Sequence, residues 1–212
     1  MSHYSRLEDQ LHSLSHGIGA LLACVGGYAL FSHTLEGDVW QWVAALLYAS
    51  ALVLLYSSSC LYHAVVDPVL KFRFRQLDHA AIFILIAGTY SPITLVSLRG
   101  HWGLALFALV WAIAIGGVLL EWLTAMKYKK LSLALYLGLG WVAVLALKPM
   151  LQQLAPGALV LLLAGGLSYS FGVIFYVWKS LYMHHLIWHL FVMAGSILHF
   201  LAVYWYVLPA PR

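Results

Sequence analysis

The chain has 212 residues, of which 64% are hydrophobic and only 8% are charged. Soluble domains carry about 25% charged residues, so this composition excludes an ordinary soluble protein and indicates one that faces lipid. The formal net charge of +4 is expected to come from basic loops on one side of a membrane, and no nucleic-acid partner is predicted.

Seven apolar runs follow one another along the chain, and each approaches or exceeds the roughly 20 residues that cross a bilayer. Backbone inside a membrane must satisfy its hydrogen bonds internally, so the runs are predicted to be helices. The sequence therefore predicts an all-α integral membrane protein, a seven-transmembrane helix bundle that forms a single domain over 1–212. The predicted spans are 15–33, 39–66, 78–97, 102–124, 131–149, 157–179 and 183–207.

The lysines and arginines predict how this bundle is oriented. With seven spans, eight of these residues fall on one side of the membrane and three on the other. The positive-inside rule then places the N-terminus in the cytoplasm and the C-terminus outside, in a plasma membrane or bacterial inner membrane. The eight are Arg6, Lys71, Arg73, Arg75, Lys127, Lys129, Lys130 and Lys179, and the three are Arg99, Lys148 and Arg212.

Cysteines and the N-terminal segment give no sign of secretion. Cys24 and Cys60 lie inside apolar runs, so neither a disulfide framework nor a thiolate zinc cluster is expected. Glu8 and Asp9 interrupt the basic region that a signal peptide needs, so no cleaved leader is expected.

Polar side chains inside a membrane are costly and each requires an explanation. Ser59 and His63 end the second predicted span, Asp78 begins the third, and His185 and His189 begin the seventh. The second span runs inward and the other two run outward in the predicted orientation. These polar residues from three helices are therefore expected at one depth, near the cytoplasmic face.

The residue types at that depth predict a metal site. His185 and His189 are four residues apart, so they lie one turn apart on one helix face and can bind one ion. His63 can supply a third nitrogen, and three histidines plus a water form the open arrangement of a catalytic zinc. Zinc suits imidazole, although Cu, Ni and Fe accept it too.

Two further residues are candidates for the chemistry of that site. Asp78 could hold or deprotonate a water, or orient a ligand imidazole through a hydrogen bond. Ser59 lies one turn before His63 on the same face, where it either takes part in the site or bonds to a carbonyl of its own helix.

Other polar residues receive simpler interpretations. His199 lies about 15 Å further along the seventh helix than His189, so it is expected to pair with another helix or line a cavity. The sequence assigns no role to His12 or His16. Interfacial positions are expected for His33, His79, His101, His184 and Glu121.

The motifs Ser59-x-x-x-His63, Leu77-Asp78 with Gly88-Thr89-Tyr90-Ser91-Pro92, and His185-x-x-x-His189 together resemble a known family. It is the hemolysin III branch of the progestin and adiponectin receptor (PAQR) family, of bacterial type, and the resemblance covers nearly the whole chain. It implies a seven-helix bundle with a cytoplasmic N-terminus and zinc held by the three histidines, with the aspartate acting through water. The opening Glu8 to Ala20 also fits, except that bacterial members often have Asn where this chain has His12.

Three functions remain open at this point, and the sequence does not decide between an enzyme and a non-enzyme. The first is a zinc-dependent, membrane-embedded hydrolase of a lipid amide, tied to membrane homeostasis and similar to the alkaline ceramidases of the wider superfamily. Its partner would be a membrane lipid, with Asp78 as general base and Ser59 holding the oxyanion or the water. The second is a sensor of membrane state with a structural zinc. The third, a pore-forming hemolysin, is disfavoured because no span has a polar stripe.

Overall fold

The computed structural model describes residues 4–208. Within that range the chain forms seven helices that are long and apolar enough to cross a membrane, which confirms the predicted seven-helix fold. The helices are α1 (Arg6–His33), α2 (Val39–Ala64), α3 (Pro68–Ser97), α4 (His101–Leu123), α5 (Lys129–Gln153), α6 (Pro156–Val177) and α7 (His184–Val207).

Two helices begin well before the spans that hydropathy predicts, because caps rather than apolarity fix their first residues. α1 begins at Arg6 rather than at 15, after a capping box in which the Ser5 and Glu8 side chains bond each other's backbone N–H. α3 begins at Pro68 rather than at 78, with Asp67 accepting two N–H groups of its first turn. These polar first turns extend α1 and α3 to the depth of the predicted site.

Small residues let the helices approach one another closely. α2 packs between α1 and α3, and α7 packs along α6 and also touches α1. A Cβ at Gly88 of α3 would lie 2.5 Å from Cβ of Ala51 on α2, and one at Gly195 of α7 would lie 2.8 Å from the Tyr169 ring on α6. Packing of this kind is typical of membrane helices, and it gathers α1, α2 and α7 around one end of the bundle.

α5 is interrupted near its middle by a 3₁₀ turn over Val142–Ala146. Tyr90 of α3 compensates for the break, because its hydroxyl donates to the Gly140 carbonyl and accepts from the Ala143 N–H, both at 2.8 Å. Interrupted backbone is tolerated at membrane depth where protein supplies the missing partners. α5 otherwise contacts the bundle sparsely, and a cavity lies between it and α7.

Candidate metal centre

The structure brings together the three histidines that the sequence predicts as metal ligands. The His63 ring of α2 lies 5.3 Å, centroid to centroid, from both His185 and His189 of α7, and those two rings are 4.6 Å apart. All three side chains are buried. Spacing and depth along the chain thus predicted that the three rings lie close together, and their role as metal ligands stays a prediction.

α1 adds two histidines that the sequence left without a role. The His12 ring lies 4.7 Å from His63, 4.9 Å from His185 and 5.3 Å from His189. His16 stacks face to face on His189 at 3.5 Å. We call these five residues, His12, His16, His63, His185 and His189, the histidine cluster. The i, i+4 spacing of His12 and His16 was the sequence signal for them.

A hydrogen bond from Asp9 fixes which nitrogen of His63 is available. His63 Nδ1 lies 2.9 Å from Asp9 Oδ1, and the other Asp9 oxygen lies 2.9 Å from Lys71 Nζ. A carboxylate facing a lysine only accepts hydrogen bonds, so His63 Nδ1 carries the proton and donates. The Nε2 lone pair is then free, and that atom is buried without a hydrogen-bond partner among residues 4–208. Such carboxylate–histidine pairs are typical behind metal ligands.

Ser15 fixes the tautomer of His189 in the same way. The Ser15 hydroxyl donates its one hydrogen to the His12 carbonyl at 2.8 Å. It therefore accepts from His189 Nδ1, which lies 3.0 Å away. The Nε2 atom of His189 is left with its lone pair, ready to bind a metal.

The missing hydrogen-bond partners of the remaining ring nitrogens indicate whether a metal ion would fit the cluster. Both nitrogens of His185 and of His12 are buried with no hydrogen-bond partner in the described part of the chain. Leaving a buried polar atom unpaired costs about 1–3 kcal/mol, and ligation would satisfy one nitrogen on each ring. The ligand atoms of His12, His63 and His185 lie within 4.8 Å of one another, a group in which His12 stands where the sequence predicted His189. These close, buried histidines could bind a metal ion.

Ser59 and Asp78 lie beside the cluster rather than within its closely spaced ligands. They line the same cavity as His185 and His189. Ser59 is buried on α2, one turn before His63. The two are thus placed to act on a molecule in the cavity.

The cavity has a volume of about 910 Å³ and runs along α3, α5, α6 and α7. Ligand sites for small molecules typically have about 300–1,000 Å³ and mostly apolar walls. Arg75, Lys129 and Lys179 line it beside Glu8 and Asp78, whereas its deeper wall is mostly apolar and aromatic. Burial lowers the pKa of Lys179, and the nearby Lys129 and Arg75 lower it further. The cavity therefore offers a charged end and an apolar interior, as an amphiphile requires.

Three polar residues differ from or refine the sequence expectations. Glu121 was expected at the interface, but it is only 1% exposed and accepts a hydrogen bond from the Tyr136 hydroxyl. His184 is also buried, with Nδ1 3.1 Å from the Phe175 carbonyl. His199 bonds the Leu162 carbonyl of α6 at 3.0 Å and lines the cavity.

Comparison with known proteins identifies relatives along nearly the whole chain. The family model described as "Haemolysin-III related" matches residues 4–200. The chain is 40% identical to "Hemolysin-3" of Bacillus cereus, covering 95% of this chain and 93% of that protein. It is 37% identical to the "Hemolysin-3 homolog" of Bacillus subtilis (strain 168), covering 96% of each. The human "Monocyte to macrophage differentiation factor" is 29% identical over 96% of this chain and 86% of that protein. No solved structure gives a significant match.

Proposed function

This chain belongs to the haemolysin-III-related family, and from that premise we propose that it is a zinc-dependent hydrolase that cleaves an amide of a membrane lipid. His63, His185 and His189 are the proposed metal ligands, with Asp78 and Ser59 as the catalytic side chains. The observation that carries the proposal is the cavity of about 910 Å³, whose wall includes both α7 histidines and both catalytic candidates. A purely structural metal would need no such space beside it.

Each part of the site has a chemical task in this proposal. Zinc, when bound, would lower the pKa of a water toward neutrality and polarise the substrate carbonyl. Asp78 accepts the proton that the attacking water loses. The Ser59 hydroxyl donates to the oxygen on which negative charge develops. The apolar walls hold the acyl chain and keep bulk water out, which strengthens these interactions.

We infer the class of substrate from the charged end and the apolar interior of the cavity. An acyl chain fits the apolar interior between α3, α5 and α7, and the head group then lies among Arg75, Lys129 and Lys179. Water adds to the amide carbonyl and the C–N bond breaks, so that a fatty acid leaves and the head-group part keeps an amine, which receives the proton that Asp78 took from the water. Such a reaction changes the lipid composition of the membrane in which the protein lies, which ties the proposed activity to membrane homeostasis.

The proposal is tested with purified protein in liposomes that contain a panel of lipid amides and lipid esters. We expect the wild type to release fatty acid from at least one amide, detected by mass spectrometry, and a zinc chelator to stop the release. Readdition of zinc should restore it. If no lipid of the panel is cleaved while zinc is bound, the hydrolase proposal is wrong.

A second candidate function is a non-enzymatic sensor of membrane state that uses the metal as a structural pin. The observation in its favour is that the histidine cluster joins three helices, α1, α2 and α7. Pore formation, which the relatives' printed names suggest, is less favoured because the helices expose mainly large apolar side chains, as a lipid-facing bundle does. The liposome assay separates the first two candidates, and dye release from the same liposomes would reveal the third.

We propose that the histidine cluster faces the cytoplasm, because eight of the eleven lysines and arginines fall on its side of the bundle. The N-terminus is then cytoplasmic and Arg212, which lies outside the described residues, is on the other side. Reporter fusions in a bacterium check this. We expect a fluorescent protein to be active at the N-terminus and a periplasm-dependent phosphatase to be active at the C-terminus, and the reverse pattern would contradict the orientation.

A further inference from the structure

His12 has the surroundings of a metal ligand rather than of an ordinary core histidine. Its side chain is 0% exposed, and both of its ring nitrogens are buried without a hydrogen-bond partner within residues 4–208. A core histidine normally satisfies at least one nitrogen, because each unpaired buried polar atom costs about 1–3 kcal/mol. A metal ion or a hydrogen-bond donor is therefore expected beside this ring.

The position of that ring selects a metal as the missing partner. His12 supplies one of the three ligand atoms that lie within 4.8 Å of one another, the others coming from His63 and His185. Imidazoles only 4.7–4.9 Å apart, centroid to centroid, would repel if they were protonated. A single cation that binds one nitrogen lone pair of each neutral ring would hold these imidazoles together.

We propose that His12 is a fourth imidazole ligand, so that the proposed zinc is bound by His12, His63, His185 and His189 together. The site then holds α1 to α2 and α7 through the metal. This inference rests on the metal site of the proposed function but not on its hydrolytic activity. His16 also has both ring nitrogens buried without a hydrogen-bond partner among residues 4–208, but its ring stacks face to face on that of His189, so it is not counted as a ligand. His189 lies outside the group of three close ligand atoms as well, and it is included because its ring lies 4.6 Å from that of His185.

His12 approaches the proposed metal from the side away from the cavity, so a fourth imidazole does not block the cavity. His185 and His189 line the cavity, whereas His12 and His63 are not among its described lining residues. Tyr4 covers His12 and His185, with ring centroids 4.9 and 5.1 Å away. His12 thus reaches the cluster from the protein side. The water of the proposed hydrolysis would then bind from the cavity as a fifth ligand, to which zinc coordination can expand.

The test compares the wild type with His12→Phe, which keeps a ring of similar size but has no lone pair. The control is His184→Phe, a change of the same type at a neighbouring buried histidine that bonds the Phe175 carbonyl. Proteins are purified without a histidine tag. Zinc affinity is measured by competition with a chromophoric chelator, and the number of bound imidazoles by X-ray absorption at the zinc edge.

We expect four imidazoles in the wild type and in the control, and three in His12→Phe. Zinc affinity should fall in His12→Phe by at least the roughly 10–100-fold that loss of an outer-shell partner costs, and by much less in the control. Three imidazoles in the wild type, or equal affinity in wild type and His12→Phe, would overturn the inference while leaving the zinc site intact. Wild-type protein that binds no zinc would overturn this inference and the proposed function together. If His12→Phe does not fold, the wild-type spectrum alone decides.

Discussion

Replacing Asp78 by Asn is expected to reduce lipid-amide hydrolysis by about 10²–10⁴-fold, the usual contribution of a positioned general base. Asn has nearly the same shape but cannot accept the proton. Zinc content should stay at the wild-type level, because Asp78 lies outside the closely spaced ligand atoms of the cluster. Turnover and zinc content are measured on the same preparation in liposomes.

A matched control for this variant is Glu121→Gln. Glu121 is also a buried carboxyl group, but it bonds the Tyr136 hydroxyl and is not among the residues that line the cavity. It should keep near-wild-type turnover even if its thermal stability falls. Wild-type turnover by Asp78→Asn would exclude Asp78 as the base, and equal losses in both variants would mean that general destabilisation, rather than lost proton transfer, explains the effect.

The double change of His185 and His189 to Ala is expected to abolish zinc binding and hydrolysis. These two rings lie one turn apart on α7 with a centroid separation of 4.6 Å, so the change removes two adjacent ligands at once. The imidazoles left on α1 and α2 do not complete the tetrahedral set that zinc prefers. Protein stability should fall as well, because a bound metal stabilises only the folded state.

His184→Ala combined with Leu190→Ala is the control for this double variant. Both residues lie on α7, where His184 is buried outside the cluster and Leu190 is exposed. The control removes as many side chains from the same helix but leaves every proposed ligand in place. It should retain zinc, so loss of zinc in both variants would indicate a damaged α7 rather than lost ligands.

The sequence predicted the seven helices because long apolar runs have few alternatives in a bilayer. The helix starts were less accurate, since Ser5 and Asp67 cap polar turns that hydropathy does not register. The break in α5 also escaped prediction, because its tolerance depends on the Tyr90 hydroxyl from another helix. Local patterns therefore predicted which segments are helical better than where each helix begins or bends.

The sequence predicted only part of the candidate site, namely the part that depends on patterns within single helices. The proximity of His63 to His185 and His189 followed from depth and from the i, i+4 spacing, both of which are properties of single helices. The contributions of His12 and Asp9 depend on how α1 is rotated against α2 and α7, which no single-helix pattern specifies. The burial of Glu121 near the end of α4 was not predicted either, because it depends on a tertiary partner, the Tyr136 hydroxyl.

The most direct test of the metal centre is the zinc content per chain of the wild type and of the His185→Ala plus His189→Ala variant. Both are purified without a histidine tag and measured by elemental analysis. We expect about one zinc per wild-type chain, as a single site of this ligand type would hold, and only background zinc in the variant. Equal zinc in the two proteins would contradict it.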